Sequence, residues 1–519
     1  MGGAGDAKLS YWVASEKPWT GGATPPPKEA DVVVLGAGIA GLTTAYLLAR
    51  AGRTVAVLEA ARVAEGVSGH TTAKVTAQHN VIYADLIRRF GKDKAELYAR
   101  AQQGAVEWIA GRVAEWDVDC DFRRRDSYVY AETGDTAEKL RAEAEAAASL
   151  GLPAEYVTET GLPFAVTGAV RFAGQGQFHP RRWLHALSDR LVAAGGTIHE
   201  GVRATGLSGG TVHTTAGDVE ARDVVVTTHY PVFDRGVYFA RLEPRRTLLM
   251  ATPVAASAEP PGMYISADSG HTVRATPHGD GSMLIVGGEG YPPGEEGPVQ
   301  DRFARLAKWG NMTFGVSGFP YQWASQDNTS LDRLPYIGRY HPFADRLWVA
   351  AGFGFWGMTN GTFAGHLLTD LITGVESEYS GLFDPSRATI RQSAAHLVGL
   401  GLHTAKHYAV DYPSAFRPDG HPDALSPGEG RVTHFGRHPV AVSRDLDGHP
   451  HTVSAVCTHL GCLVAFNDAE RTWDCPCHGS RFALDGSVLH GPATHPLTPV
   501  DLDGDPVKED AVGEAVREP

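Results

Sequence analysis

Short, wholly apolar runs alternate along the chain with longer amphipathic stretches rich in alanine, a pattern that predicts the strands and helices of an α/β fold. The run DVVVL, Asp31 to Leu35, is long enough for a buried strand and too short for a helix. An amphipathic stretch follows it, and a second apolar run, TVAVL, ends at Glu59. Helical segments are predicted around Ala84 to Trp116 and Thr136 to Leu150. Short β-like runs such as GSMLIVGGE fill the middle of the chain, and DRLWVAAGFGFWGMTNGTFAGHLLTDLITG then returns to strand, glycine loop and helix. There is no internal repeat.

Proline and glycine mark the boundaries. The segment KPWTGGATPPPKEA places the start of the fold near residue 30, so 1–29 reads as an N-terminal leader and 30–385 as a first domain. A helical-looking connector follows Asp384, and DYPSAFRPDGHPDALSPGEG, Asp411 to Gly430, reads as a linker. The span 386–429 thus leads to a second, smaller domain over 430–519. Two or more domains are expected in any case, because 519 residues exceed what one hydrophobic core usually spans.

Composition then narrows the function. A net charge of −14 argues against nucleic acid or an anionic membrane as partner. No run of about 18 apolar residues occurs, so no membrane insertion is expected, and the N-terminus lacks a secretory signal. The chain reads as cytoplasmic. Of its five cysteines, four lie in CTHLGC (Cys457 to Cys462) and CPCHGS (Cys475 to Ser480), which points to a metal or redox site. Cys120 has no partner motif nearby and reads as structural.

Gly36, Gly38 and Gly41 sit directly after the first strand, open a helix, and are followed by the strand that ends at Glu59. That context makes a dinucleotide-binding unit. Glycine lets the backbone approach a pyrophosphate, the helix N-terminus stabilises its charge, and Glu59 accepts hydrogen bonds from the adenosine ribose. The unit alone does not separate FAD from NAD.

LDRLPYIG (Leu331 to Gly338) followed by AAGFGFWGMTNGTFAG resembles the C-terminal flavin-binding signature of the D-amino-acid-oxidase and glycine-oxidase-like superfamily, over about residues 30 to 380. The resemblance implies bound FAD in a Rossmann-like domain with an inserted α+β substrate domain. The FAD-binding parts would be about 30–80, 165–235 and 330–380. It places the loop of Gly352, Gly354 and Gly357 before a helix that faces the flavin, with Asn360 and Gly361 in its first turn. It also runs EGVSGHTTAKVTAQH along the flavin ring, so that His70, Thr71 and Lys74 become candidates. His70 falls where dimethylglycine-dehydrogenase-like relatives carry a covalently linked histidine; covalent attachment and simple contact both stand. Lys74 reads either as a ring neighbour or as an ordinary solvated lysine.

Glycine-oxidase-like enzymes carry a carboxylate-binding arginine where this chain, in WASQDNTSLDRLPYIG, has Asp327. A negative charge there predicts a small-molecule amine or other cationic substrate, with Asp327 pairing with it and Trp356 as an aromatic wall. The competing reading makes Asp327 a turn cap and gives a substrate carboxylate to Arg333 or Arg274.

The two cysteine stretches resemble the paired loops of a Rieske iron–sulfur domain, a small all-β fold. The resemblance assigns Cys457 and Cys475 to one iron of a [2Fe-2S] cluster and His459 and His478 to the other, with Cys462 and Cys477 as the disulfide that braces the loops. A tetrahedral zinc site is the main alternative. An aromatic-ring dioxygenase is disfavoured, because a flavin fold occupies the rest of the chain.

The whole resembles bacterial FAD-dependent oxidoreductases with a C-terminal Rieske domain. The expected activity is a dehydrogenase that oxidises a C–N bond and relays electrons one at a time through the cluster to an external acceptor protein. The alternative is a flavin and iron–sulfur electron-transfer component that serves a partner protein. The large region from Gly151 to Ser330 and the lack of a second dinucleotide fingerprint favour the enzyme.

Overall fold

The computed structural model describes residues 9–500, except 24, 234, 296, 388–424 and 436–437. The chain divides into two compact units.

The first unit contains Met1–His229, Arg246–Gly290 and Phe303–Arg387. The apolar runs become neighbours in one sheet, in the order Tyr336–Arg339, Leu347–Ala351, Val219–Val226, Glu29–Leu35, Val55–Leu58 and Thr197–His199. All pairs except the first are parallel. Register sets Val32 beside Val55 and Leu35 beside Val226. Val32 to Leu35 and Val55 to Leu58 are buried at every position, as parallel strands covered on both faces must be. The helix Ile39–Arg50 packs on this sheet and against the helix Gly357–Thr373. A second sheet of nine strands, among them Lys74–Val75, Gly168–Gln177 and Tyr321–Ser330, forms the inserted α+β part. The helix expected over Ala84 to Trp116 is two, Tyr83–Phe90 and Lys92–Trp116, because Gly91 between them takes a left-handed φ of 85°.

The fold starts earlier than the proline-rich text suggests. Tyr11–Ser15 forms a short helix, and Tyr11, Trp12 and Trp19 join the same core as the parallel sheet. Five residues are too few to show helical periodicity, but three large aromatic side chains give this segment ample surface to bury. Residues 9–23 are thus part of the first unit and not a detached leader.

The second unit contains Tyr230–Arg245, Tyr291–Arg302 and Ala388–Pro519. The described part of its third stretch, residues 425–500, is all-β. Gly430–Phe435, His438–Arg444 and Pro450–Ser454 form one antiparallel sheet, and Ala465–Asn467, Thr472–Asp474, Arg481–Phe482 and Val488–His490 another. Trp473, Phe482, Val453 and Leu497 make its core. The connector expected over 386–429 lies outside the described residues from 388 to 424. No helix among the described residues is long and apolar enough to cross a membrane.

Candidate functional site

The first strand ends at a tight turn. Gly36 has φ +100°, and a Cβ there would stand 2.8 Å from the Thr227 carbonyl oxygen. A Cβ on Gly41 would meet the Gly36 carbonyl oxygen at 2.0 Å, so strand and helix approach as closely as backbone permits. The Glu59 carboxylate lies beneath this turn, accepting from the Ala37 N–H at 2.8 Å and the Ala61 N–H at 2.8 Å. Ser68 reaches the same place, its Oγ accepting from Ile39 N at 3.2 Å and standing 3.1 Å from a Cβ on Gly38. These residues fit the pyrophosphate and ribose of FAD: a cradle open where side chains would fill it, at a helix N-terminus, with a carboxylate at the next strand end.

From Ser68 the chain continues through His70, Thr71 and Lys74. The His70 Nδ1 is 2.9 Å from the Gly66 carbonyl oxygen. Thr71 Oγ1 accepts from Ala73 N at 3.0 Å. Lys74 is buried, which removes the solvated reading; its Nζ donates to the Tyr264 carbonyl at 2.8 Å and to Thr272 Oγ1. Burial, with Arg274 nearby, pushes its ammonium down to about 7.

Gly352 and Gly354 are left-handed, at φ 76° and 57°, and carry the chain round to the helix Gly357–Thr373. Asp327 serves this loop. Its Oδ2 accepts from Phe355 N at 2.6 Å, and its Oδ1 from Asn328 N at 2.7 Å and from His229 Nε2 at 3.0 Å. A carboxylate offers about four acceptor positions, and three are filled from within the protein. Asp327 is therefore a brace of the glycine loop before it is a clamp for a substrate cation. Of the arginines named as carboxylate partners, buried Arg274 is committed as well, while exposed Arg333 makes a single bond. Arg274 donates to the carbonyls of Thr72, Ala73, Phe178 and Ala275, and Arg333 to that of Val81.

Trp356 precedes the helix with one face covered by the His79 ring, 5.0 Å away and nearly parallel at 14°. The His79 Nε2 lies 3.0 Å from the Thr76 carbonyl, which only accepts, so Nε2 carries the proton and Nδ1 accepts from Tyr98 OH at 2.6 Å. Burial holds this imidazole neutral, at about 3. The Asn360 side chain is held by Gln102 at 2.8 Å and donates to the Phe353 carbonyl at 3.2 Å, so it ties the loop together. Gly361, expected beside the cofactor, belongs to the helix crossing: a Cβ there would stand 2.7 Å from Ile39 Cγ2. His79 and Ser68 escape sequence reading, because their partners lie far away in the chain.

The second unit brings the two cysteine loops together. Cys457 N donates to the Cys462 carbonyl and Cys475 N to that of Ser480, each at 2.8 Å, closing each loop on itself. Cys462 and Cys477 form a disulfide, while Cys457 and Cys475 are free thiols and buried. The His459 and His478 rings lie 4.9 Å apart, edge to face at 84°. His478 Nδ1 is buried with no hydrogen-bond partner, as a nitrogen that awaits a metal would be. Two thiols and two imidazoles, with the other two loop cysteines locked in the disulfide, fit a [2Fe-2S] cluster of the Rieske kind. Phe239, from the Tyr230–Arg245 segment, stands edge-on to the His478 ring at 5.8 Å.

Known proteins agree with both halves. Residues 31–371 match the family model for FAD dependent oxidoreductases, and residues 416–501 that for the Rieske [2Fe-2S] domain. A Rieske 2Fe-2S iron-sulfur protein of Bacillus subtilis, YhfW, is 35% identical over 506 residues, 96% of this chain and 99% of the relative. The gamma-glutamylputrescine oxidoreductase of Escherichia coli is 25% identical over 367 residues, 66% of this chain and 84% of that one. The crystal structure of glycine oxidase from Geobacillus kaustophilus superposes with a TM-score of 0.58 at 20% identity, covering 70% of this chain and all of that one, a likeness of fold.

Proposed function

Because this chain belongs to the FAD dependent oxidoreductase family, is of the amine and amino-acid oxidase type, and carries a C-terminal Rieske [2Fe-2S] domain, we propose that it is a dehydrogenase for an amine-type, cationic substrate. FAD supplies acceptance of a hydride from carbon, and the cluster supplies one-electron transfer to an external acceptor protein. The observation that carries this reading is the pairing, in one chain, of a glycine cradle with a complete set of Rieske ligands.

The chain's own residues define the substrate side. Arg274 is buried and spent on four backbone carbonyls, so it does not offer the forked donor that a simple amino acid's carboxylate would need. Asp327 keeps one acceptor position and its negative charge next to the glycine loop, which favours a cation there. His79 holds the Trp356 ring in place as an apolar surface on which such a group can rest.

Anaerobic mixing of the whole protein with primary, secondary and tertiary amines, amino acids and NAD(P)H, followed by flavin absorbance, tests the proposal. Bleaching by an amine and not by NAD(P)H is expected. Bleaching by NAD(P)H alone would overturn it in favour of an electron-transfer component.

A further inference from the structure

The chain leaves the short 3-10 turn Val67–Gly69 and runs without regular structure over 70–73, yet each of the five carbonyl oxygens from Gly69 to Ala73 accepts from a side chain. Ser10 Oγ donates to Gly69 O at 2.5 Å, Trp323 Nε1 to His70 O at 3.0 Å, and Trp12 Nε1 to Thr71 O at 2.7 Å. Arg274 Nη1 donates to Thr72 O at 2.9 Å and to Ala73 O at 3.0 Å. The donors are themselves fixed. Trp12 is fully buried, its ring lies 5.2 Å beneath the Arg274 guanidinium, and Trp323 is 1% exposed.

A trans peptide points its C=O and N–H in opposite directions. Pinning His70 O therefore aims the Thr71 N–H, and pinning Thr71 O aims the Thr72 N–H, away from the indoles. Neither amide donates to a protein acceptor among the described residues, and both residues are half-buried. Two adjacent, fixed and unused donors follow Ser68, whose Oγ lies at the glycine cradle.

We infer that Trp12 and Trp323 are positioning residues of the flavin site: their indole N–H groups hold two peptide planes so that the Thr71 and Thr72 amides meet acceptor atoms of the bound flavin ring. The N-terminal segment is thereby part of cofactor binding. The inference rests on the assignment of Thr71 to the FAD site, and it needs neither the substrate nor the acceptor named above.

The test is Trp12→Phe and Trp323→Phe in the full chain, which keep an aromatic ring and remove the donor. Trp19→Phe is the control, since Trp19 is buried in the same N-terminal segment and spends its Nε1 on Asp189 at 2.8 Å. FAD affinity and the visible flavin spectrum are read alongside thermal unfolding. Each of the two positioning variants should weaken FAD binding about three- to tenfold, the worth of one aligned hydrogen bond, and shift the flavin band. Trp19→Phe should change neither. Should Trp12→Phe fail to fold, Trp323→Phe carries the same expectation. Unchanged affinity and spectrum in the positioning variants, or equal changes in Trp19→Phe, would overturn the inference; silence of the amine panel would not touch it.

Discussion

Two glycines in helices should respond to alanine with opposite signs. A Cβ on Gly365, in the helix Gly357–Thr373, would stand 2.5 Å from Thr43 Cγ2, 2.7 Å from Thr43 Cβ and 2.9 Å from Thr44 N. Carbon atoms are comfortable at roughly 3.5 to 4.0 Å, so the two helices would have to part by about 1 Å. Thr43 cannot swing aside, because it is fully buried and its Oγ1 is bonded to Ile39 O at 2.7 Å. Overpacking of this kind costs about 1 to 3 kcal/mol, and helix propensity returns about 1 kcal/mol for glycine to alanine. Gly365→Ala should therefore destabilise the first unit, by up to about 2 kcal/mol. Gly111, inside the helix Lys92–Trp116, has nothing within 4 Å of its would-be Cβ. Only propensity acts there, and Gly111→Ala should stabilise by about 1 kcal/mol. Urea unfolding followed by flavin release reads the first unit selectively, which matters because a chain of two units need not unfold in one step. Gly365→Ala should also loosen FAD, since both helices begin at the cofactor loops, while Gly111→Ala should not. Shifts of the same sign in both variants would refute the argument from helix contact.

His459→Ala and Cys475→Ser should yield protein that keeps FAD and lacks the cluster. Iron, sulfide and paramagnetic-resonance measurements check the loss; substrate should still bleach the flavin, turnover with a one-electron protein acceptor should collapse, and undiminished turnover would dismiss the relay. The Lys74 ammonium titrates near 7 in the fold and near 10.4 in an unfolded chain, roughly. Between those values the unfolded chain holds more protons, so stability of the first unit should climb as pH rises through that window. Lys74→Met should flatten this climb, and equal slopes in denaturant titrations of both proteins would exclude Lys74 as its source.

What is legible in the sequence is local. The glycine cradle, its strand and helix, and the four candidate cluster ligands each lie within a few contiguous residues, because a phosphate or an iron pair demands fixed spacing. What is hidden depends on contacts between distant parts of the chain. Nothing near His79 announces that its ring will lie against Trp356. The motif position of Asp327 suggests a residue facing a substrate, while the fold fills most of its acceptor positions from within, with the N–H groups of Phe355 and Asn328 and with His229. Counting from the helix start places Gly361 at the cofactor, but which side of a helix meets a neighbour is decided by packing. The prolines of the N-terminal segment suggest a detached leader, whereas its aromatics decide where it goes.

The second unit is assembled from three separate stretches of chain, and two of them, Tyr230–Arg245 and Tyr291–Arg302, lie inside the span matched by the oxidoreductase model. They are engaged within that unit: Val299 N donates to Asp468 at 2.7 Å, Phe239 meets His478, and Gly294 lies so near Pro476 that a Cβ would stand 2.8 Å from its nitrogen. A gene cut after the linker would deliver the candidate iron ligands without these companions. A variant survey sorted by family boundaries would likewise file Phe239 under flavin chemistry, although its immediate neighbour is His478, a candidate ligand of the cluster. Any exchange of the Rieske portion must therefore carry Tyr230–Arg245 and Tyr291–Arg302 with it.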